Sequence, residues 1–293
     1  MCSGACRWLS FRSTKPKNFD LCNSSVNKAR SVLCLHNDEM PMVNDPKLVR
    51  FNLLRVLELT SPLYNKGVYM SFENLSNLVL LEYLALMSNR LISDNAVSCN
   101  GASSLENLCH LNQLEALTIE AEYAIPNSIS LPGINAFPCN LRKLKLSKTY
   151  LPWKDIAKIA LLPGLEMLKL KMDAFYGPEW EPIEGGFRRL KFLLLENTDL
   201  KIWNAFDDEF PILEHLVLKH CEKLEGIPTV FSNVTTLKSI DLEWCGQDLS
   251  SCAKNIQQEH LDYGNNELKV LVRNPQLFMG ISAFQSELPF RLY

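Results

Sequence analysis

Leucines recur along the chain in a short pattern that returns about every two dozen residues. Residues 190 to 228 hold two consecutive copies, each with leucine at its first, fourth and sixth positions. The ninth position is Thr198 in one copy and Cys221 in the other. Alternate side chains of a strand point to opposite faces, so positions four and six face one side while three, five and seven face the other. One such unit cannot bury its leucines alone, so the pattern predicts a stack of units.

Eight clean copies follow one another at intervals of 23 to 27 residues, apart from one 33-residue interval with an insertion near residues 99 to 104. Their starting residues are Leu54, Leu81, Leu114, Leu141, Leu165, Leu190, Leu213 and Leu237. The string L-x-x-L-x-L-x-x-(N/C/T) and its period are typical of leucine-rich repeats. The predicted fold class is an α/β repeat solenoid, a leucine-rich-repeat horseshoe of about nine or ten repeats with a concave parallel β-sheet.

The same pattern predicts the domain boundaries. Residues 1 to 28 lack strand or helix periodicity and are predicted to be a poorly ordered lead-in. The repeat domain is predicted over 29 to 272, with a C-terminal cap at 246 to 272. This cap combines a helix over 248 to 263, with His260 or Tyr263 on its buried stripe, and a final strand over 267 to 272. Residues 273 to 293 are predicted to be an unstructured tail.

Two further positions in the repeats have predicted structural roles. The ninth position of each copy needs a side chain that bonds to the backbone, and six of the eight copies meet this need, whereas Pro62 and Glu122 depart from it. Trp153, Trp180 and Trp203 fall in the return segments, where we expect them to fill gaps between successive repeats. A partner anchor on the outer or lateral face is the alternative role for these tryptophans.

Composition and charge narrow the possible functions. The chain is 47% hydrophobic and 22% charged, and its net charge of −3 gives no overall field that favours nucleic acid or a membrane surface. The longest apolar run near the C-terminal end, residues 277 to 284, is far below the ~20 residues that span a bilayer, so no integral membrane segment is expected. The ten cysteines are scattered, and we interpret them as reduced thiols of a cytosolic protein.

No motif supports catalysis or metal binding. His215, His220 and Cys221 are close in sequence, but no second pair of ligands has the spacing of a zinc site. Neither G-x-S-x-G nor H-E-x-x-H occurs, and the phosphate loop G-x-x-x-x-G-K-[ST] is absent from the 293 residues. The chain is therefore predicted not to be an enzyme and to bind no cofactor.

The repeat register predicts which side chains point outward from the concave sheet. Lys143, Lys145, Lys169 and Lys171 would lie on adjacent strands about 4.8 Å apart, where repulsion is unfavourable unless a partner neutralises it. Phe192 is expected to be exposed beside them, and burial of its apolar ring by a partner would be favourable. The predicted partner-binding residues are Lys143, Lys145, Lys169, Lys171, Phe192, Leu194, Glu196, His215, Val217 and Lys219. A solvated lysine face that protects the sheet from aggregation is the alternative interpretation.

Several stretches are more specific than the generic repeat. They are LSKTYLPW at 146 to 153, GPEWEP at 177 to 182, CEKLEGIP at 221 to 228 and AKNIQQEHLDYGNNELKVLV at 253 to 272. In these stretches residues 138 to 272 closely resemble the C-terminal repeats of late-blight-type resistance proteins from nightshade plants, and a looser resemblance begins at about residue 29. Those proteins are intracellular immune receptors with coiled-coil, nucleotide-binding and leucine-rich-repeat regions.

The resemblance implies a cytoplasmic, non-enzymatic module for recognition and autoinhibition. It would fold against a nucleotide-binding switch module, sense a pathogen effector or a guarded host protein, and release a hypersensitive defence response. The resemblance implies that the ADP/ATP site lies in the switch module, because this sequence has no phosphate loop. A receptor fragment, a truncated product and a repeat-only relative all remain open.

Other classes of function fit the repeats less specifically. A stand-alone or adaptor scaffold, such as a ubiquitin-ligase substrate receptor, is the main alternative, and an F-box-like helical segment would support it. A cell-surface ectodomain would require a signal peptide and the return N-x-L-x-G-x-I-P, of which only Ile227 and Pro228 are present.

Overall fold

The computed structural model describes residues 8–11, 28–35, 52–60, 78–88, 106–121 and 131–273. Within these ranges eleven strands form one sheet in the order of the chain, and every pair of neighbours is parallel. The strands of this sheet are β1 (Trp8–Phe11), β2 (Ser31–Leu35), β3 (Val56–Thr60), β4 (Tyr83–Ser88), β5 (Ala116–Ala121), β6 (Lys143–Ser147), β8 (Met167–Lys171), β11 (Phe192–Glu196), β13 (His215–Lys219), β14 (Ser239–Glu243) and β15 (Lys269–Arg273). The predicted leucine-rich-repeat solenoid with a parallel sheet is confirmed.

The described parts of the return segments contain short elements and one longer helix. Two small ladders of parallel strands pair β7 (Leu151–Pro152) with β9 (Phe175–Tyr176), and β10 (Glu179–Trp180) with β12 (Ile202–Trp203). The 3₁₀ turns are Glu106–His110, Ile134–Ala136, Trp153–Asp155 and Thr229–Asn233, and the α-helices are α1 (Ile156–Ala160) and α2 (Gln247–Asp262).

The leucines of the repeat form columns that run through the whole solenoid. Each of the eight predicted copies forms a strand that begins two residues after its starting leucine. Leu193 lies in register with Leu216, and Leu195 with Leu218, and all four are at most 1% exposed. Full burial of one leucine side chain stabilises a protein by roughly 1.5–3 kcal/mol, so these columns provide the main stabilising contact between coils.

Aromatic rings fill the space between the returns. Trp180 stacks between Trp153 and Trp203, with ring centroids 4.9 and 5.1 Å away, and all three indoles are at most 5% exposed. Phe187 and Phe210 form a second stack, with centroids 4.8 Å apart. The prediction that these tryptophans fill gaps between successive repeats is confirmed.

The N-terminal part of the sheet extends further than the sequence pattern indicates. Residues Trp8–Phe11 fall in the predicted lead-in, yet they form β1 and pair with β2, with Leu9 in register with Val32. A strand adds to a sheet edge through backbone hydrogen bonds, and four residues are too few for a periodicity to be recognised. The rest of the predicted lead-in up to residue 27, and residues 274–293 of the predicted tail, lie outside the described residues.

Helix α2 covers the end of the leucine core. Its buried residues are Leu249, Ala253, Ile256 and His260, whereas Tyr263 is 80% exposed, so His260 is the residue on the buried stripe. The Nε2 atom of His260 lies 2.9 Å from the Phe231 carbonyl oxygen. Gly264, with φ +82°, takes the left-handed conformation that ends such a helix, and β15 follows.

A buried carboxylate, Glu209, joins two consecutive returns and is not predicted by the repeat pattern. Its Oε2 atom accepts hydrogen bonds from the backbone N–H groups of Ile183 and Phe206, each at 3.2 Å. Its Oε1 atom has no hydrogen-bond partner among the described residues. Burial raises the pKa of Glu209 to about 7, although the two backbone bonds favour its charged form.

Replacing the central indole of the stack should be costly. The change Trp180→Ala removes a fully buried ring from between two others, and we expect the free energy of unfolding to fall by about 3–5 kcal/mol. Urea denaturation followed by circular dichroism measures this value. The control is Trp244→Ala, because Trp244 is 36% exposed and its loss should cost less than about 1 kcal/mol. Equal costs for the two variants would contradict the packing described here.

Glu209 should make the stability depend on pH. Its pKa in the folded state is about 7, above the ordinary 4.5, so the folded state holds the proton more tightly than the unfolded state. The resulting stability, on the order of 2–3 kcal/mol, is fully present below the unfolded pKa and is lost as pH rises through the folded pKa. Denaturation of the wild type and of Glu209→Gln from pH 5 to 8 should show the wild type losing stability relative to the variant. If the difference in unfolding free energy between the wild type and Glu209→Gln stayed constant with pH, the raised pKa of Glu209 would be disproved.

Candidate functional site

The concave face carries the third, fifth and seventh positions of every repeat, which point away from the leucine core. We call the third and fifth positions the central rows, the seventh position the downstream row, and the second position, just before each strand, the upstream row. Parallel register places equivalent positions side by side, so Met167 lies between Lys143 and Phe192. All ten residues predicted from the sequence to bind a partner therefore lie on this one face.

The downstream row is a series of ion pairs between neighbouring repeats. Lys171 Nζ lies 2.8 Å from a carboxylate oxygen of Glu196, and Lys219 Nζ lies 2.5 Å from one of Glu243. The hydrogen bond from Lys219 lowers the pKa of Glu243. Three of the predicted site residues, Lys171, Glu196 and Lys219, therefore form ion pairs within the fold.

The upstream row also pairs charges between neighbouring repeats. A nitrogen of Arg142 lies 2.9 Å from Glu166, and Lys238 Nζ lies 2.5 Å from Glu214. Arg55 forms a similar pair with Glu82 in the first part of the sheet. The hydrogen bond from Lys238 lowers the pKa of Glu214. Exposed pairs of this kind stabilise a protein by at most about 1 kcal/mol each, but they leave both borders of the concave face close to neutral.

The central rows contain three lysines without such partners. Lys143 is exposed, Lys145 and Lys169 are half-buried, and Lys145 lies directly opposite Lys169 on the neighbouring strand. Among the described residues, none of the three has a carboxylate within ion-pair distance. The patch predicted from four lysines therefore has three available ammonium groups, because the fourth, Lys171, is bound to Glu196.

The apolar neighbours of this patch differ in how far they are accessible. Phe192 is half-buried: Lys169 Nζ lies 5.4 Å from its ring centroid, and the His215 ring lies 6.5 Å away on its other side. Leu194 and Val217 are only 7% and 8% exposed. These two residues therefore form the floor of the face, and Phe192 with His215 supplies the accessible surface.

The ninth positions tie one repeat to the next. Thr149 Oγ1 donates to the Ala174 carbonyl oxygen at 2.7 Å, and the Cys245 thiol lies 3.3 Å from the Leu218 carbonyl oxygen. A hydrogen bond between the two thiols raises the pKa of Cys221 and lowers that of Cys245 to about 7. The corresponding residues 62, 89 and 122 lie outside the described residues.

A turn with a left-handed residue recurs after the strands and is not predicted by the repeat pattern. The residue that follows each strand has a left-handed backbone in five copies: Lys148, Met172, Asn197, His220 and Trp244, with φ between 50° and 56°. Asn is common in this conformation, but bulky side chains are rare there, so only one of the five carries a sequence signal. His220 and Trp244 stack with ring centroids 5.9 Å apart, which leaves them on the rim beside the downstream row.

The residues considered for metal binding have other roles. His215 Nδ1 lies 3.0 Å from the Ser239 hydroxyl, and His220 stacks on Trp244. In the described ranges, no group of three or more His, Cys, Asp or Glu side chains converges as a metal site would require. No helix in those ranges is both long enough and apolar enough to cross a membrane.

The leucine columns, the single parallel sheet and the charged open face together define a leucine-rich-repeat protein. About half of the chain is similar to late blight resistance proteins of Solanum demissum. One such homologue is 40% identical over 152 residues, which are 51% of this chain and 12% of the relative. A late blight resistance protein is 37% identical over 151 residues, which are 50% of this chain and 11% of that protein. The predicted resemblance is confirmed, and the chain spans only about a tenth of the length of these relatives.

Solved leucine-rich-repeat structures align with the chain only loosely. A Leptospira interrogans protein has a TM-score of 0.45 and 14% identity, covering 84% of this chain and 49% of its own. An internalin of Listeria monocytogenes has a TM-score of 0.45 and 15% identity, covering 93% and 77%. The leucine-rich-repeat fold follows from the repeat geometry itself. No family model matches the chain.

The contact between Lys169 and Phe192 should be measurable as a coupling energy. A double-mutant cycle with Lys169→Met and Phe192→Leu should give about 0.5–1 kcal/mol, because an ammonium group over a ring face is attracted to its π electrons. Urea denaturation of the four proteins measures it. A control cycle that pairs Phe192→Leu with Lys201→Met, which lies on a return segment, should give no coupling. A coupling energy of zero in the first cycle would show that Lys169 and Phe192 do not interact.

Proposed function

We propose that this chain is the recognition and autoinhibition part of a plant intracellular resistance protein. The observation that carries the proposal is the 37–40% identity to late blight resistance proteins over about half of the chain. A repeat solenoid whose outward positions vary while its leucines stay fixed suits such a role. The scaffold remains the same while the concave face can be adapted to a partner.

In this proposal the chain acts by binding and performs no reaction of its own. One partner is a nucleotide-binding switch module in the cytoplasm, which carries the ADP/ATP site and is held inactive while it docks on the repeats. The other partner is a pathogen effector or a guarded host protein. A ligand that binds the released state more tightly than the docked state shifts the population toward release, which starts the hypersensitive response.

The rigidity of the solenoid supports this mode of action. From β2 to β14, every strand of the sheet pairs with a strand on each side. The buried leucines pack against the opposite face of the sheet and hold the strands in place. A surface held in this way loses little conformational freedom when a partner binds. An effector whose binding site overlaps that of the docked module on this face would compete with it.

Association with a switch module is the direct test of this function. The chain is expressed in leaf tissue with the separately supplied nucleotide-binding module of a resistance protein that is about 40% identical. We expect the two to co-precipitate and the cell death caused by an autoactive form of that module to be reduced. An unrelated leucine-rich-repeat protein at equal abundance is the control. If the chain neither associates with the module nor alters cell death, the proposed function is wrong.

A further inference from the structure

The charges of the concave face are unevenly distributed between its rows. Most lysines and arginines of the upstream and downstream rows pair with carboxylates of neighbouring repeats, as in Arg142 with Glu166 and Lys171 with Glu196. The central rows between β5 and β13 contain ten positions. These are Ala116, Thr118, Lys143, Lys145, Met167, Lys169, Phe192, Leu194, His215 and Val217, with three lysines and no carboxylate.

The arrangement of these lysines is unfavourable for the chain on its own. Lys145 and Lys169 face each other across neighbouring strands, and like charges in directly opposite positions destabilise a sheet. Neighbouring strands lie about 4.8 Å apart and alternate residues of one strand about 6.6 Å apart, so the three side chains leave the sheet close together. The ten central-row positions between β5 and β13 include no carboxylate that would relieve this repulsion. A bound anionic group would relieve it.

An apolar surface adjoins the three ammonium groups. Met167 is half-buried and lies in register between Lys143 and the half-buried Phe192. Lys169 leans over the Phe192 ring, so the charged and apolar parts of the surface are continuous. A partner that satisfies both parts must carry acidic and apolar side chains on one side.

We propose that Lys143, Lys145 and Lys169 bind an extended acidic segment of a protein partner, with an apolar side chain of that segment covering Met167 and Phe192. In an extended chain, alternate side chains share one face at a spacing of about 6.6 Å, which equals the separation of Lys143 and Lys145 along β6. Lys169 and Phe192 lie on the next two strands, so the segment must cross the strands diagonally. In this direction carboxylates at residues i and i+2 would meet the ammonium groups, and an apolar residue at i+4 would cover Phe192. The inference rests on the proposed function as a protein-recognition module and specifies the chemistry of the partner.

The test uses the purified full chain and short fluorescent peptides. The probe is a peptide with an Asp-Ser-Glu-Ser-Phe core flanked by Gly and Ser, and the matched probe has Asn and Gln in place of the two acids. Fluorescence anisotropy should show binding of the acidic peptide that weakens as salt is added, and binding of the amide peptide at least about tenfold weaker. No binding of the acidic peptide, or equal binding of both peptides, would overturn the proposal.

Variants of the chain locate the binding. The triple change Lys143→Gln, Lys145→Gln and Lys169→Gln should weaken the acidic peptide about tenfold or more, because it removes all three ammonium groups. The matched control makes the same change at Lys201, Lys223 and Lys254, which are exposed and lie outside the concave face, and binding should stay within about twofold. Equal losses in the two triple variants would mean that the peptide responds only to net charge, which would overturn the proposed site.

A single variant separates lost binding from lost folding. Lys145→Glu places a carboxylate opposite Lys169, which should raise the Tm by up to about 2 °C while peptide binding falls. A variant that keeps its Tm and still binds the peptide as the wild type does would overturn the proposal. An RNA oligonucleotide of equal charge is tested in parallel, and tighter binding of the RNA than of the peptide would also overturn it. These results do not depend on the leaf assay, so the proposed function and this site fail separately.

Discussion

The structure depends on one constraint: no single repeat can bury its own leucines. Leu193 and Leu195 are covered because Leu216 and Leu218 follow in register one coil later, and the same relation holds along the sheet. Consecutive coils are also joined by the backbone hydrogen bonds of the parallel sheet, by the stacked indoles and by the hydrogen bonds that Glu209 accepts. Stability is therefore a sum of contacts between neighbours, and most outward positions do not contribute to the leucine core.

This separation of roles explains the charge pattern of the concave face. The fold fixes where the third, fifth and seventh positions lie, but it does not dictate which residues occupy them. At the seventh position the chain uses opposite charges in neighbouring repeats, as in Lys219 and Glu243, which stabilises the stack modestly. At the third and fifth positions it places Lys143, Lys145 and Lys169, which have no carboxylate within ion-pair distance among the described residues, and a stability requirement alone does not explain this.

The fold could be predicted in detail because its cause is local and periodic. All eight strands predicted from their starting leucines are present, and Trp180 fills the gap expected of it. What the sequence did not reveal depends on contacts across repeats. Nothing in the sequence distinguishes Glu209 from a surface carboxylate, because its bond to the backbone N–H of residue 183 forms only when two returns pack together. Strand β1 has too few residues to show a periodicity.

The candidate site was predicted in outline but not in its pairing. The register correctly brought the ten residues onto one face, yet it could not show that Lys171 is held by Glu196 or that Leu194 is 7% exposed. Comparing the signs of the seventh positions in successive repeats would have indicated the first point. The second depends on the packing of the side chains around Leu194, which the spacing of the repeats does not specify.

The central-row lysines should be available to a partner, whereas Lys171 and Lys219 of the downstream row are held in ion pairs. Reductive methylation followed by mass spectrometry measures this directly, because it reports the reaction rate of each lysine. Lys145 and Lys169 should react faster than Lys171 and Lys219, although all four are half-buried, and the acidic peptide should slow only the first two. Equal rates for the four lysines, or protection of all of them by the peptide, would contradict the account.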